Sequence, residues 1–241
     1  MKRFKNLFFL LIFIMSSVFI QAANAGCVKN NNSSGNDKSK IIPFSELKFT
    51  DIGIATKPGK VTIKNDEVEV VAGGADIWGK NDEFNFGYTK MEGDFDIRVQ
   101  IKSLSKPHQY TKAGIMARVD LSDNSQHAYF QVFPDNSPRN KNNGGCEFQY
   151  RLEKGGEMKA IYPNIETAGK KFDVNFPNTW IRLKRQGDIF ESYISSDNKN
   201  WELFSTFGQK LPAGLLVGLA VTSHNSGDFA TAVFSNLILK E

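Results

Sequence analysis

Arg118, His127, Tyr129, Gln149, Arg151 and His224 are the side chains of this sequence whose types and spacing best suit recognition chemistry. Positions i, i+2 and i+4 of a strand share a side, so Arg118 shares one with Met116 and Lys112, His127 and Tyr129 with Gln131, and Gln149 and Arg151 with Glu147. Thr222 and His224 make a fourth row. If these segments are neighbouring strands, the rows form a platform of guanidinium, imidazole, amide and phenol groups suited to hydroxyls and carboxylates. The alternative is that the rows face solvent, as half the residues of an antiparallel sheet do, although such faces are usually richer in Lys, Glu and Thr. Trp78 lies in the Gly-rich stretch 73–79, where its indole either stacks on a sugar ring or folds over an edge as a core plug.

Other chemistries find less support. The histidines His108, His127 and His224 occur with no His-x-x-x-His spacing, and Cys27 and Cys146 form no Cys-x-x-Cys pair, so no zinc signature is present. Asp76 and Asp82 can be read as calcium ligands, since hard cations take oxygen donors, or as loop caps; no dense Asp-x-Asp-x-Asp loop supports the first reading. No other cofactor is expected. Gly-rich phosphate loops leading into helices are absent.

The 241 residues suffice for one sizeable core and exclude large multidomain machinery. Lys+Arg number 30 against 26 Asp+Glu, but Lys2, Arg3, Lys5, Lys29, Lys38 and Lys40 fall in the first forty positions against Asp37 alone. The body is therefore close to neutral, which gives no sequence-level case for nucleic acid as a partner. Residues 1–25 read as a secretory signal: a basic start, an apolar run from Leu7 to Ile20 that is short of a membrane span, and Ala23-Asn24-Ala25 as cleavage site. Ala25-Gly26-Cys27 resembles a bacterial lipobox with Asn24 where Leu is usual, so two outcomes stay open: lipidation of Cys27, or plain cleavage after Ala25. Residues 26–42 are a polar tether and 43–241 the folded domain, which places the protein in the cell envelope by a lipid anchor, or secreted. Cys146 opens an alternating strand and reads as a buried thiol rather than as the disulfide partner of Cys27.

From Ile41 onward period-two alternation recurs, bounded by Gly, Asn, Asp and Pro, with no sustained 3.6-residue period. Phe95, Ile97, Val99 and Ile101 alternate with Asp96, Arg98 and Gln100; similar runs fall near 67–72, 83–89, 112–120, 126–133, 146–153, 179–186, 189–196, 201–206, 214–223 and 228–239. So many short strands split into two packed sheets, and the expected fold is an all-β jelly-roll sandwich of two antiparallel sheets. Gln186-Gly187-Asp188 and Asp197-Asn198-Lys199-Asn200 mark two hairpin turns. Trp180 and Trp201 read as structural, and 136–145 as a long exposed loop.

Six strings, among them Gly74-Ala75-Asp76-Ile77-Trp78-Gly79, Lys112-Ala113-Gly114-Ile115-Met116-Ala117-Arg118, Gln149-Tyr150-Arg151-Leu152 and Gly218-Leu219-Ala220-Val221-Thr222-Ser223-His224-Asn225, resemble in order and spacing the bacterial domains related to the regulation of enolase protein 1 family. That family belongs to the concanavalin A-like lectin/glucanase superfamily. The resemblance spans about residues 45–240 and implies a sandwich with a concave face, on which superfamily members commonly bind or cleave glycans; it does not fix an activity. Glu92-Gly93-Asp94 approaches the Glu-x-Asp-x-x-Glu pattern of sandwich-fold glucanases, but Ile97 stands in place of the second Glu. A glycoside hydrolase therefore lacks its carboxylate pair. A polysaccharide lyase, using Arg118, Arg151 and Gln149 against a uronate carboxylate and His127 or Tyr129 for proton transfer, is the enzymatic rival. Lys112-Ala113-Gly114 resembles part of an alginate-lyase strand motif whose Gln-Ile-His companion is missing. The leading expectation is a non-catalytic domain holding an oligo- or polysaccharide in a groove lined by Trp78, Arg118, His127, Tyr129, Gln149, Arg151 and His224; a structural or surface protein-interaction domain is the further alternative.

Overall fold

The structure, a computed structural model, describes residues 39–54, 58–139, 141, 144–163 and 170–240. The leader, most of the tether and Cys27 lie outside the described residues. The strands are β1 (Ser39–Ile41), β2 (Lys48–Ile52), β3 (Lys60–Lys64), β4 (Glu67–Ala72), β5 (Ile77–Trp78) and β6 (Asn81–Asp82). They continue with β7 (Phe84–Glu92), β8 (Phe95–Leu104), β9 (Lys112–Arg118), β10 (His127–Val132), β11 (Cys146–Arg151) and β12 (Lys159–Ile161). The last five are β13 (Thr179–Gln186), β14 (Ile189–Ser195), β15 (Glu202–Gly208), β16 (Gly214–Thr222) and β17 (Ala230–Lys240).

They form two antiparallel sheets, a jelly-roll β-sandwich. One sheet runs β15-β14-β13-β8-β17-β4-β3, with β1 paired to β17; the other runs β12-β11-β10-β9-β16-β7-β2. The pair β5-β6 stands apart as a small hairpin. Alternation dictates what fills the space between the sheets. On β8 the apolar half, Ile97, Val99 and Ile101, faces inward opposite Leu183, Ile181 and Thr179 of β13. From the other sheet come Ala113, Ile115 and Ala117, then Ala128, Phe130 and Val132, then Val217, Leu219 and Val221. Strands with one buried row alternate in the sequence and were readable; β2, β3 and β12 are short edge strands whose residues, Ile52 apart, are exposed or half-buried and carry little pattern.

Cys146 faces this core, where burial pushes its thiol well above the ordinary range. Trp180 is buried, and Trp201 lies beneath the Arg182 guanidinium, 5.7 Å from its ring centroid. The expectation of an exposed loop at 136–145 is corrected at Arg139. Its side chain is fully buried, and the guanidinium lies 4.3 Å over the Phe133 ring and donates to the carbonyls of Gln109 (2.6 Å), Asp135 (3.1 Å) and Ser137 (2.7 Å), which turns the loop inward. A charged fork with that many carbonyl acceptors is satisfied without water.

Candidate functional site

The outer face of the second sheet carries the predicted rows, in register. Arg151, His127 and Arg118 lie side by side across β11, β10 and β9; Gln149, Tyr129 and Met116 follow, then Glu147, Gln131 and Gly114. The four segments are thus neighbours on one face, with Lys112 beside Thr222 at the β9-β16 end. Gly114 keeps that face low: a Cβ there would stand 2.2 Å from the Phe130 carbonyl oxygen. The remainder of the face is apolar. Phe84, Phe86, Met116, Tyr129 and Ala220 form a second small core.

That second core needs a cover, and residues 74–83 supply it. Ile77 drops onto Phe84, Phe86, Met116 and Tyr129 and is fully buried. The segment departs from the sheet at Gly74, whose φ of +116° and a Cβ position 2.1 Å from the Glu83 carbonyl oxygen admit only glycine. Thr222 and Ser223 hydroxyls hold it by donating to the Glu83 carbonyl at 2.9 Å and the Gly74 carbonyl at 3.0 Å. At its far end Asp82, completely buried, accepts both guanidinium nitrogens of Arg151 at 2.7 Å each, with Arg118 and His127 each 3.7 Å away.

This places the predicted residues in two groups. Arg118, His127 and Arg151 do not line an open groove; they are sealed beneath the covering segment, and the proposed ligand role is corrected for them. Arg118 spends its donors on the carbonyls of Asp120 (2.8 Å) and Ser122, and lies 5.0 Å over the Phe84 ring. Burial pulls its pKa down and Asp82 opposes this, leaving it at about 10. Arg151 donates further to the carbonyls of Gly156 (3.0 Å), Ser125 (3.1 Å) and Gly79 (3.1 Å). Burial, reinforced by the two guanidiniums against the pull of Asp82, lowers His127 to about 4, so it is neutral at physiological pH. Tyr129 is likewise buried, its hydroxyl donating to the Ala220 carbonyl at 3.0 Å. The calcium reading is corrected as well: both Asp82 oxygens serve Arg151, and those of Asp76 serve Lys112, Ile77 N–H and His224. No group of three or more His, Cys, Asp or Glu placed to share a metal ion occurs among the described residues.

Trp78, Gln149 and His224 meet elsewhere, around a cavity of about 250 Å³ where the covering segment stops short of β11 and β12. Asp76, Lys112, Glu147, Tyr110, Phe133 and Tyr162 complete its wall. Lys112 and Glu147 were legible through strand parity with Arg118 and Arg151. Tyr110, Phe133 and Tyr162 sit just outside strands, where parity carries no signal. Trp78 is 42% exposed with the Lys112 ammonium 5.8 Å from its ring centroid. Asp76 binds the Lys112 ammonium through Oδ1 and receives His224 Nε2 on Oδ2 at 3.0 Å. Burial pushes the Asp76 carboxyl up, but Lys112 and His224 outweigh it and hold it at about 2. His224, at a φ of +56°, stacks on His108 with centroids 4.4 Å apart and planes within 3°. Gln149 donates Nε2 to Glu147 Oε1 at 2.6 Å, while its Oε1 is buried with no hydrogen-bond partner among the described residues.

No family model and no curated protein matches this chain. Solved structures do. A protein of unknown function from Saccharomyces cerevisiae aligns with a TM-score of 0.59 at 18% identity over 82% of this chain and 97% of its own. The carbohydrate-binding module CBM66 from Bacillus subtilis aligns at 0.50 and 16% over 80% and 95%, and a Bauhinia forficata lectin in complex with GalNAc at 0.50 and 6% over 84% and 97%. The two-sheet sandwich fold is what this chain shares with them. At these identities the likeness is one of fold alone.

Two outcomes follow from the charges. Asp82→Asn leaves two buried guanidiniums without their anion and should lower stability by about 3–5 kcal/mol in urea unfolding. Because the Asp76 pKa is depressed, its pairing stabilises the fold fully above about pH 4, and that stabilisation is lost as pH falls toward 2. The stability difference between the native chain and Asp76→Asn, on the order of 2 kcal/mol at pH 6, should therefore shrink toward zero near pH 2.

Proposed function

We propose that this protein is an exported, lipid-anchored, non-catalytic carbohydrate-binding domain that holds one sugar unit, at the end of a glycan, in the cavity beside Trp78. The observation that carries the reading is the Gln149 Oε1, buried against the cavity and lacking a partner among the described residues, next to an exposed indole. A buried acceptor left unmade costs about 1–3 kcal/mol, which a ligand donor recovers. An aromatic face with a few convergent polar groups is how proteins hold a ring that is apolar on its faces and polar at its edge. The volume, just under the roughly 300 Å³ at which drug-sized pockets begin, suits a single ring and not several. The extended groove expected from the sequence is therefore replaced by a short cavity, because Ile77 and its neighbours occupy the rest of the face.

Solved structures of a carbohydrate-binding module and a GalNAc-bound lectin with this fold support the reading by analogy. The narrower resemblance to enolase-regulation-type domains is part of the proposal. Neither enzymatic alternative gains from the geometry. A lyase would need Arg118 and Arg151 at the ligand, and both are sealed on Asp82. A hydrolase needs one carboxyl held protonated as its acid, a role that Asp76, held ionised by Lys112 and His224, does not fill.

Titration of glycans against the full chain, followed by tryptophan fluorescence and calorimetry, should give dissociation constants of ~10 μM to 1 mM, the range of a small site that must desolvate polar groups. Trp78→Ala and Gln149→Ala should each weaken binding about 10-fold or more; failure of every glycan to bind would remove the reading. The anchor is tested separately: radiolabelled palmitate incorporation in a bacterial host should disappear with Cys27→Ser, and labelling that persists would exclude that site.

A further inference from the structure

Gln149 is not the only buried amide here that lacks a partner. Gln131, completely buried on β10, has neither Oε1 nor Nε2 hydrogen-bonded among the described residues. Its Cα partners are Glu147 on β11 and Gly114 on β9, and Gln149 is its diagonal neighbour, close enough for two long side chains to share one ligand group. Glu147 and Gln149 belong to the cavity wall, as does Phe133, two residues beyond Gln131. On the β9 side Gly114 brings no side chain that could answer the amide. A buried amide has given up its water and recovers the loss only from a partner.

The unanswered atoms are a mixed set: acceptors on Gln149 and Gln131, and the donor NH₂ of Gln131. An ammonium only donates and would leave that NH₂ unmet; a carboxylate or sulfate only accepts and would leave both oxygens unmet. A secondary amide carries N–H and C=O on opposite edges of one plane, so between two glutamines it donates to one and accepts from the other. Turning the Gln149 amide over would exchange its unmet oxygen for an N–H, which the C=O of the same group answers. The match therefore needs no particular charge on Glu147. The wall beside it is aromatic: Phe133 meets the Tyr110 ring edge-on with centroids 6.0 Å apart, and Tyr162 and Trp78 stand around them. One indole suffices for a sugar face, which leaves apolar wall for a further substituent.

Resting on the sugar-binding reading above, we propose that the cavity selects a sugar bearing an N-acetyl group over the corresponding hexose and free hexosamine. The acetamido group bridges Gln149 and Gln131, and its methyl lies on the aromatic wall at Phe133.

The test uses the full chain at pH 7 and three matched triplets: N-acetylglucosamine, N-acetylgalactosamine and N-acetylmannosamine, each beside its hexose and its free amine. In the triplet that binds best, the N-acetyl form should bind at least about 10-fold more tightly than either companion. Gln131→Met keeps the length of the side chain and removes the unanswered amide. It should leave the fold at least as stable in urea unfolding and bring the N-acetyl-to-hexose ratio close to one. Saturation-transfer NMR on the native chain needs no variant: the acetyl methyl should receive more saturation than the sugar ring protons. A hexose or amine bound as tightly as its N-acetyl form, a ratio unchanged by Gln131→Met, or a methyl saturated less than the ring protons overturns this inference and leaves sugar binding standing. Absence of binding by every sugar, including neutral disaccharides, overturns both.

Discussion

The outer face of this sandwich depends on one buried ionic contact, the Asp82 carboxylate gripping Arg151 across both oxygens with Arg118 and neutral His127 packed around it. Two guanidiniums and one carboxylate leave the cluster with surplus positive charge in a place without water. The surplus is spread over backbone carbonyls from 79, 120, 122, 125 and 156, so the cluster draws three separate chain segments onto one point. Ion pairs of this kind are poor sources of net stability compared with apolar packing, but they punish misplacement severely. Their role here is positional: they fix where the segment 74–83 ends, and that end fixes the boundary of the cavity.

The cavity is what remains after the sheet face has been divided between three occupants. Phe84, Phe86, Met116 and Tyr129 claim the centre and Ile77 closes it; the arginines claim one end; the Asp76-Lys112-His224 network holds the other. Among the described residues, the strip between Trp78 and β11 stays open. Its shape is therefore inherited from packing and charge pairing that a ligand does not need to organise, which keeps the ordering cost of binding small.

Strand parity made much of this readable in advance. It put Arg118, His127, Gln149 and Arg151 on one face because residue alternation in a sheet is geometrically strict, and the observed register agrees. It could not distinguish a face that is open from one that is covered. The covering segment holds one large apolar side chain that reaches the sheet, Ile77, among glycines and polar residues, too little to declare an amphipathic element. Arginine chemistry compounded the difficulty. The same planar fork that suits a uronate carboxylate suits Asp82, which stands 69 positions from Arg151 and is invisible as its partner in sequence. Tyr110, Phe133 and Tyr162 escaped because residues beyond strand ends follow no period, and Arg139 because a loop rich in Asn, Ser and Pro gives no hint that one cation within it will be buried.

The sheets are not closed into a barrel, so β2, β3, β12 and β15 each present an unpaired backbone ladder at a rim of the molecule. Three of these rims carry exposed lysines, Lys48 on β2, Lys60 and Lys64 on β3, and Lys159 on β12, while the register between β14 and β15 is broken at Ser192/Tyr193. A foreign strand docking there would have to desolvate an ammonium or follow an irregular ladder. Growth by strand addition is thereby discouraged at the rims, so that crowding of such chains does not of itself seed a shared sheet.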